Sequence, residues 1–287
     1  MYDFKQHSLY KPMEVDSVIS TVFTIYLKNF FKLFLFTFLT VLLVQYLFYS
    51  IGFYEVMKTF DPEYVEGNLG YFFKLMGKIL IISVLAYGIL NTFLINYLYV
   101  KDIDPTASTG SILGDSISKF IIHMIFFMIL TSFIIFFGMM LGVIVFVIGI
   151  LLAAIYFSTV LVSGCSIIVV EQKNAFDAIG RSFSLTHKDF WQAVGSLVLF
   201  VLILILISMV LSAIIAIPFV IMFFGNLNDT GSFLDAFNLN LYELGIWQVV
   251  LNSIVSALTF PLYAIFSLVL YFKLKYTEDQ KAIFNNQ

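Results

Sequence analysis

Residues 120–170 read FIIHMIFFMILTSFIIFFGMMLGVIVFVIGILLAAIYFSTVLVSGCSIIVV and contain no Asp, Glu, Lys or Arg. A helix needs about 20 apolar residues to cross the hydrocarbon layer of a bilayer. This stretch is too long for one crossing and too apolar for the surface of a soluble domain. It predicts a helical hairpin: span three near 120–140, span four near 143–170, and a tight turn at Gly138 and Gly142.

The same pattern recurs on both sides. Apolar runs at 30–53 and 79–100 predict spans one and two. Runs at 191–224 and 247–272 predict spans five and six, with single prolines at Pro218 and Pro261 as kinks. The first run reads as a retained span, because residues 1–29 before it are mixed and no small-residue cleavage site follows. The whole chain agrees: 61% of it is hydrophobic, 11% is charged, and the mean hydropathy is +1.00. An ordinary soluble domain is about a quarter charged. The expected fold is therefore all-α, an integral membrane bundle of about six transmembrane helices with short interfacial helices.

Cytoplasmic loops carry the excess of Lys and Arg. With the N-terminus inside, the inner segments hold Lys5, Lys11, Lys28, Lys32, Lys101, Lys119, Lys173, Arg181, Lys188, Lys273, Lys275 and Lys281. The outer segments hold only Lys58, Lys74 and Lys78. Twelve against three predicts cytoplasmic N- and C-termini. Trp191 and Trp247 each open a span, at the depth that amphipathic rings favour.

Little is expected outside the bilayer. Residues 1–29 read as a cytoplasmic N-terminal segment, residues 30–272 as the membrane domain and residues 273–287 as a cytoplasmic tail. Val15, Val18, Ile19, Val22, Ile25 and Tyr26 recur at helical spacing, which predicts an amphipathic interfacial helix over 14–29 or an early start to span one. The outer loops, 54–78 and 225–246, are too short for domains. Between spans four and five, Asn174 caps a helix on which Phe176, Ile179 and Phe183 share a face. Thr186-His187-Lys188-Asp189 then reads as a capping box opening span five. Glu171 and Arg181 border this loop and are expected to pair. Glu171, Ile179, Arg181 and Phe183 thus form a candidate interface elbow.

Reactive chemistry is sparse. No Asp, Glu, Lys or Arg lies deep within a span, where such groups usually mark function. His7, His123 and His187 are scattered, Cys165 is the only cysteine, and no zincin, nucleophile-elbow or phosphate-loop pattern occurs. No catalytic residue, metal site or cofactor is expected. The net charge of −3 offers no nucleic-acid footprint. Asn91, Asn252 and Ser256 are a candidate polar patch within the membrane, and hydrogen bonding between helices is the simpler role for such side chains.

Two short motifs carry a family resemblance. Ile168-Val169-Val170-Glu171 leads into Ala178-Ile179-Gly180-Arg181-Ser182, Leu185 and Phe190-Trp191. Lys11-Pro12-Met13-Glu14-Val15-Asp16 precedes the first apolar span. In these the chain resembles a bacterial multi-pass family named for the membrane domain joined to some glycerophosphoryl diester phosphodiesterases. The resemblance does not extend to the catalytic domain. It implies a helical membrane domain that accompanies a partner or organises lipid in the bacterial cytoplasmic membrane.

The expected function is a non-enzymatic scaffold or accessory subunit, with the bilayer and a membrane protein as partners. The sequence leaves its oligomeric state open. The alternative is a transporter or channel for a lipid-like or small apolar solute. A lipid-modifying enzyme would require acidic or histidine side chains gathered at one membrane face.

Overall fold

The structure is a computed structural model that describes residues 3–58, 69–230 and 245–285. The described residues are helical, with no strand among them. The long elements are α1 (Val15–Ser50), α3 (Leu69–Ile103), α5 (Ile121–Gly142), α6 (Phe146–Leu161), α9 (Phe190–Thr230) and α10 (Gly245–Asn285). Shorter helices are α2 (Phe53–Lys58), α4 (Thr109–Asp115), α7 (Gly164–Val170) and α8 (Ala175–Thr186). Six helical segments are long and apolar enough to cross a membrane: Val15–Ser50, Leu69–Ile103, Thr109–Gly142, Ile148–Val170, Phe190–Ile217 and Val249–Phe284. The chain is an all-α bundle of the multi-pass membrane type. Helices suit that solvent because each satisfies its own backbone groups where no water can.

The chain divides into two compact units. The first comprises Met1–Leu33, Tyr87–Val201 and Pro261–Gln287. Its core contains two stretches buried on every side, residues 92–100 of α3 and 264–274 of α10. Phe200 of α9 stacks on Phe266 of α10, with ring centroids 4.2 Å apart. The second unit comprises Phe34–Ala86 and Leu202–Phe260. There Thr37, Val41 and Val44 are the buried face of α1, while Leu35, Leu39 and Leu43 are exposed. Val249, Ser253 and Ala257 bury one face of α10, and Ile205, Leu206, Met209 and Val210 of α9 are exposed. An exposed leucine costs nothing when the solvent is a lipid tail, so helix contact rests on close packing.

The hairpin expected over 120–170 is present, but its turn is the 3₁₀ segment Val143–Val145, beyond the two glycines. Gly138 and Gly142 serve helix approach instead. A Cβ on Gly138 would lie 2.2 Å from the Phe157 ring, and one on Gly142 would lie 2.5 Å from the Gly149 carbonyl oxygen. Likewise a Cβ on Gly164 would meet the Phe127 ring at 2.0 Å.

Span four breaks between α6 and α7. A break frees carbonyls, which must find donors in a dry interior. The Ser182 hydroxyl donates to the Val160 carbonyl at 2.6 Å, and the Ser267 hydroxyl to the Val162 carbonyl at 2.7 Å. These bonds tie α8 and α10 to the break.

Two other boundaries differ from expectation, and a third follows one of its two readings. Residues 15–29 are the early start to span one: they form the first part of α1, with no Gly or Pro between Val15 and Gly52. Val18, Ile19, Val22 and Tyr26 are buried, so this apolar face packs on protein. The expected tail from residue 273 is a continuation of α10 to Asn285. The expected loop 225–246 is shortened by α9 reaching Thr230, and residues 231–244 lie outside the described residues, as do residues 59–68 of the first loop.

Candidate functional site: the elbow between spans four and five

The elbow starts where the apolar run ends. α7 stops at Val170, Glu171 is its C-cap, and Gln172 turns the chain with φ of 54°. Asn174 then caps α8: its side chain accepts from the Asp177 amide at 2.9 Å and donates to the Asp177 carboxylate at 2.7 Å. That cap stands as the sequence indicates. The capping box over 186–189 does not form, because Thr186 is the last residue of α8 and the Asp189 amide donates to its carbonyl at 3.1 Å. Only Lys188 and Asp189 separate the C-cap His187 from α9, leaving no room for a separate box.

α8 presents small residues inward. Ala175, Ala178, Ser182, Leu185 and Thr186 are buried, while Phe176 is 70% exposed. Ile179 and Phe183 are half-buried, and the Phe183 ring stacks on His187 at 6.3 Å. At the start of α9, Trp191 is 81% exposed.

The expected Glu171–Arg181 pair forms, within a larger network. Arg181 Nε donates to both Glu171 oxygens at 3.2 Å. Its terminal nitrogens grip Glu278 of α10 in a two-pronged fork, Nη1 to Oε1 at 2.7 Å and Nη2 to Oε2 at 2.5 Å. Such planar forks are among the stronger protein hydrogen bonds. The Tyr271 hydroxyl donates to Glu171 at 3.1 Å. Lys275 joins Glu278 at 3.1 Å and Asp279 at 2.8 Å, and the Tyr10 hydroxyl donates to Asp279 at 2.7 Å. Hydrogen bonds to Glu278, opposed by burial, raise Arg181 above its ordinary value. It therefore stays charged at any relevant pH. Two more bonds tie the elbow to α10: Lys273, almost fully buried, meets Asp189 at 2.6 Å, and Lys281 donates to the Lys188 carbonyl at 2.6 Å.

The N-terminal segment is strapped to the same unit. The amide and hydroxyl of Ser8 both donate to Asp102, at 2.7 and 2.9 Å. The His7 ring packs against both Phe272 and Tyr99, with centroids at 4.3 and 5.7 Å. Burial lowers His7 to about 4 against the opposing pull of Asp102, so the ring is neutral and its Nδ1 accepts from the Leu9 amide at 3.2 Å.

An open cleft of about 410 Å³ sits beside this network, lined by Phe4, Val170, Glu171, Lys173, Arg181 and Lys275. Among the described residues, no three His, Cys, Asp or Glu side chains gather as a metal site. Chemically the arrangement is a brace: opposite charges held by one another, with a cleft at its edge.

Residue by residue, the structure brings Glu171 and Arg181 together and leaves Ile179 and Phe183 outside the ion network. Of the expected polar patch, Asn91 is half-buried in the first unit and Ser256 half-buried in the second, while the Asn252 side chain lies outside the described residues. Asn96, another polar residue in a span, donates to Ser116 at 3.0 Å and to the Ile112 carbonyl at 3.3 Å, a packing role. Sequence reasoning missed Tyr271, Lys275, Glu278 and Asp279. Their signal was Lys275 with Glu278 and Asp279 at helical spacing, which marks a helix outlasting the apolar run. Comparison with known protein families, curated proteins and solved structures finds no match for this chain.

Proposed function

We propose that this chain is a non-enzymatic scaffold or accessory subunit of the bacterial cytoplasmic membrane, acting through the elbow at its cytoplasmic face. The family resemblance in residues 168–191 and the bias of twelve inner to three outer basic residues support the location and orientation. One observation carries the functional reading. α8 is braced from within by Arg181, Glu171 and Glu278, yet its outer side carries Phe176, 70% exposed, with half-buried Ile179 and Phe183 beside it. Rigid backing and an apolar outer face suit an element that another membrane component packs against.

The test is recovery of co-purifying membrane proteins by mass spectrometry after gentle extraction. The I179D and F183D chains are expected to lose a stoichiometric partner or to become unstable in the membrane. Wild-type recovery together with wild-type stability in both variants would refute this role for the elbow.

A further inference from the structure

The cleft beside the brace sits where apolar runs end. Val170 lines it and closes the run of span four, and Glu171 follows directly. Lys275 also lines it, three positions after Phe272 closes the apolar run of α10. The ends of these two apolar runs put the cleft at the depth of lipid headgroups. Its volume of about 410 Å³ falls within the range of small-ligand sites, about 300–1,000 Å³.

The charges in the cleft are not equally committed. Glu171 is held by Arg181 and Tyr271, and Lys275 is held by Glu278 and Asp279. Lys173 lines the cleft with no ion-pair partner among the described residues. A guanidinium has five N–H donors and an ammonium three. Arg181 and Lys275 therefore each keep donors beyond the bonds described above. Phe4 and Val170 supply an apolar wall. One uncommitted cation, spare donors and an apolar wall suit an anionic phosphodiester joined to an acyl-bearing glycerol.

We infer that this cleft holds the headgroup phosphate of an anionic phospholipid, with Lys173 as its principal cation. The inference rests on the reading of residues 171–191 as a membrane-interface elbow. A basic side chain near an anionic membrane surface contributes about 1 kcal/mol, or about fivefold in affinity.

The experiment is native mass spectrometry of the full chain in detergent with phosphatidylglycerol and phosphatidylcholine at equal concentration. We expect a retained phosphatidylglycerol in preference to phosphatidylcholine. K173Q lowers that preference about fivefold, and K173E lowers it further. K188Q, at an exposed lysine that does not line the cleft, leaves it unchanged. Equal retention of the two lipids would overturn the inference, as would equal losses in K173Q and K188Q. Displacement of the lipid by millimolar inorganic phosphate would assign the cleft to a free anion and overturn the lipid source. Partner recovery is read separately in I179D and F183D. A K173Q chain that keeps its partner and loses its lipid preference supports the cleft, and a partner lost only from the α8 variants leaves the lipid result standing.

Discussion

Arg181 is where the polar chemistry of the first unit converges. It joins the end of span four, through Glu171, to the far end of span six, through Glu278. The side chains of all three are only 16–19% exposed. Removing the cation would leave Glu171 with only the Tyr271 hydroxyl and Glu278 with only Lys275, and stripping one partner from a partly buried ion network costs about 3 kcal/mol. R181A should therefore lower the thermal stability of the purified protein sharply. R181K keeps the charge but loses the fork geometry and should fall between. Adding E171Q and E278Q to R181A should restore part of the loss, since neither position then carries a charge that has lost the guanidinium. Melting curves in one detergent would check this order. Half of the network was legible beforehand. Glu171 and Arg181 border one short loop, so their pairing needs only local geometry. Glu278 is 97 positions from Arg181, and nothing local to either residue announces the contact. The same is true of Ser8 and Asp102, 94 positions apart.

At the scale of elements, the hairpin of α5 and α6 shows what composition reveals and what it hides. An uncharged run of twice the span length must turn back, so the hairpin follows from length alone. The place of the turn does not. Glycine at 138 and 142 fits a turn and fits close packing equally well in sequence. The structure uses both for packing, against Phe157 and the Gly149 backbone. G142A should then force α5 and α6 apart, at about 2 kcal/mol by overpacking. G110A, where a Cβ meets nothing within 4 Å, should be close to neutral in the same melting assay. Equal effects of the two would count against helix approach at Gly142. Capping is subject to the same ambiguity. Asn174 was legible as an N-cap because the chain must restart after a break. Thr186 matched a capping box, but a helix already in progress over 175–186 takes precedence over the pattern.

For the whole molecule, six spans were legible because membrane length and hydropathy constrain each one separately. The division into two interleaved units was not, since it depends on which faces meet, and helices in lipid carry no polar face to mark it. The polar ties of the first unit join the N-terminal strap, the elbow and the end of α10. In a six-span chain these three must share one membrane face. The proposal that this face is cytoplasmic rests on the basic-residue bias.

Cysteine accessibility tests that arrangement most directly. With Cys165 replaced by Ala, single cysteines at Ser184 of α8, Lys281 of α10 and Tyr71 of α3, all exposed positions, would be probed with a membrane-impermeant maleimide. In intact cells we expect labelling at position 71 alone, with positions 184 and 281 reacting only after permeabilisation. Labelling of 184 or 281 in intact cells, or protection of 71, would contradict a six-span chain with its elbow and termini in the cytoplasm.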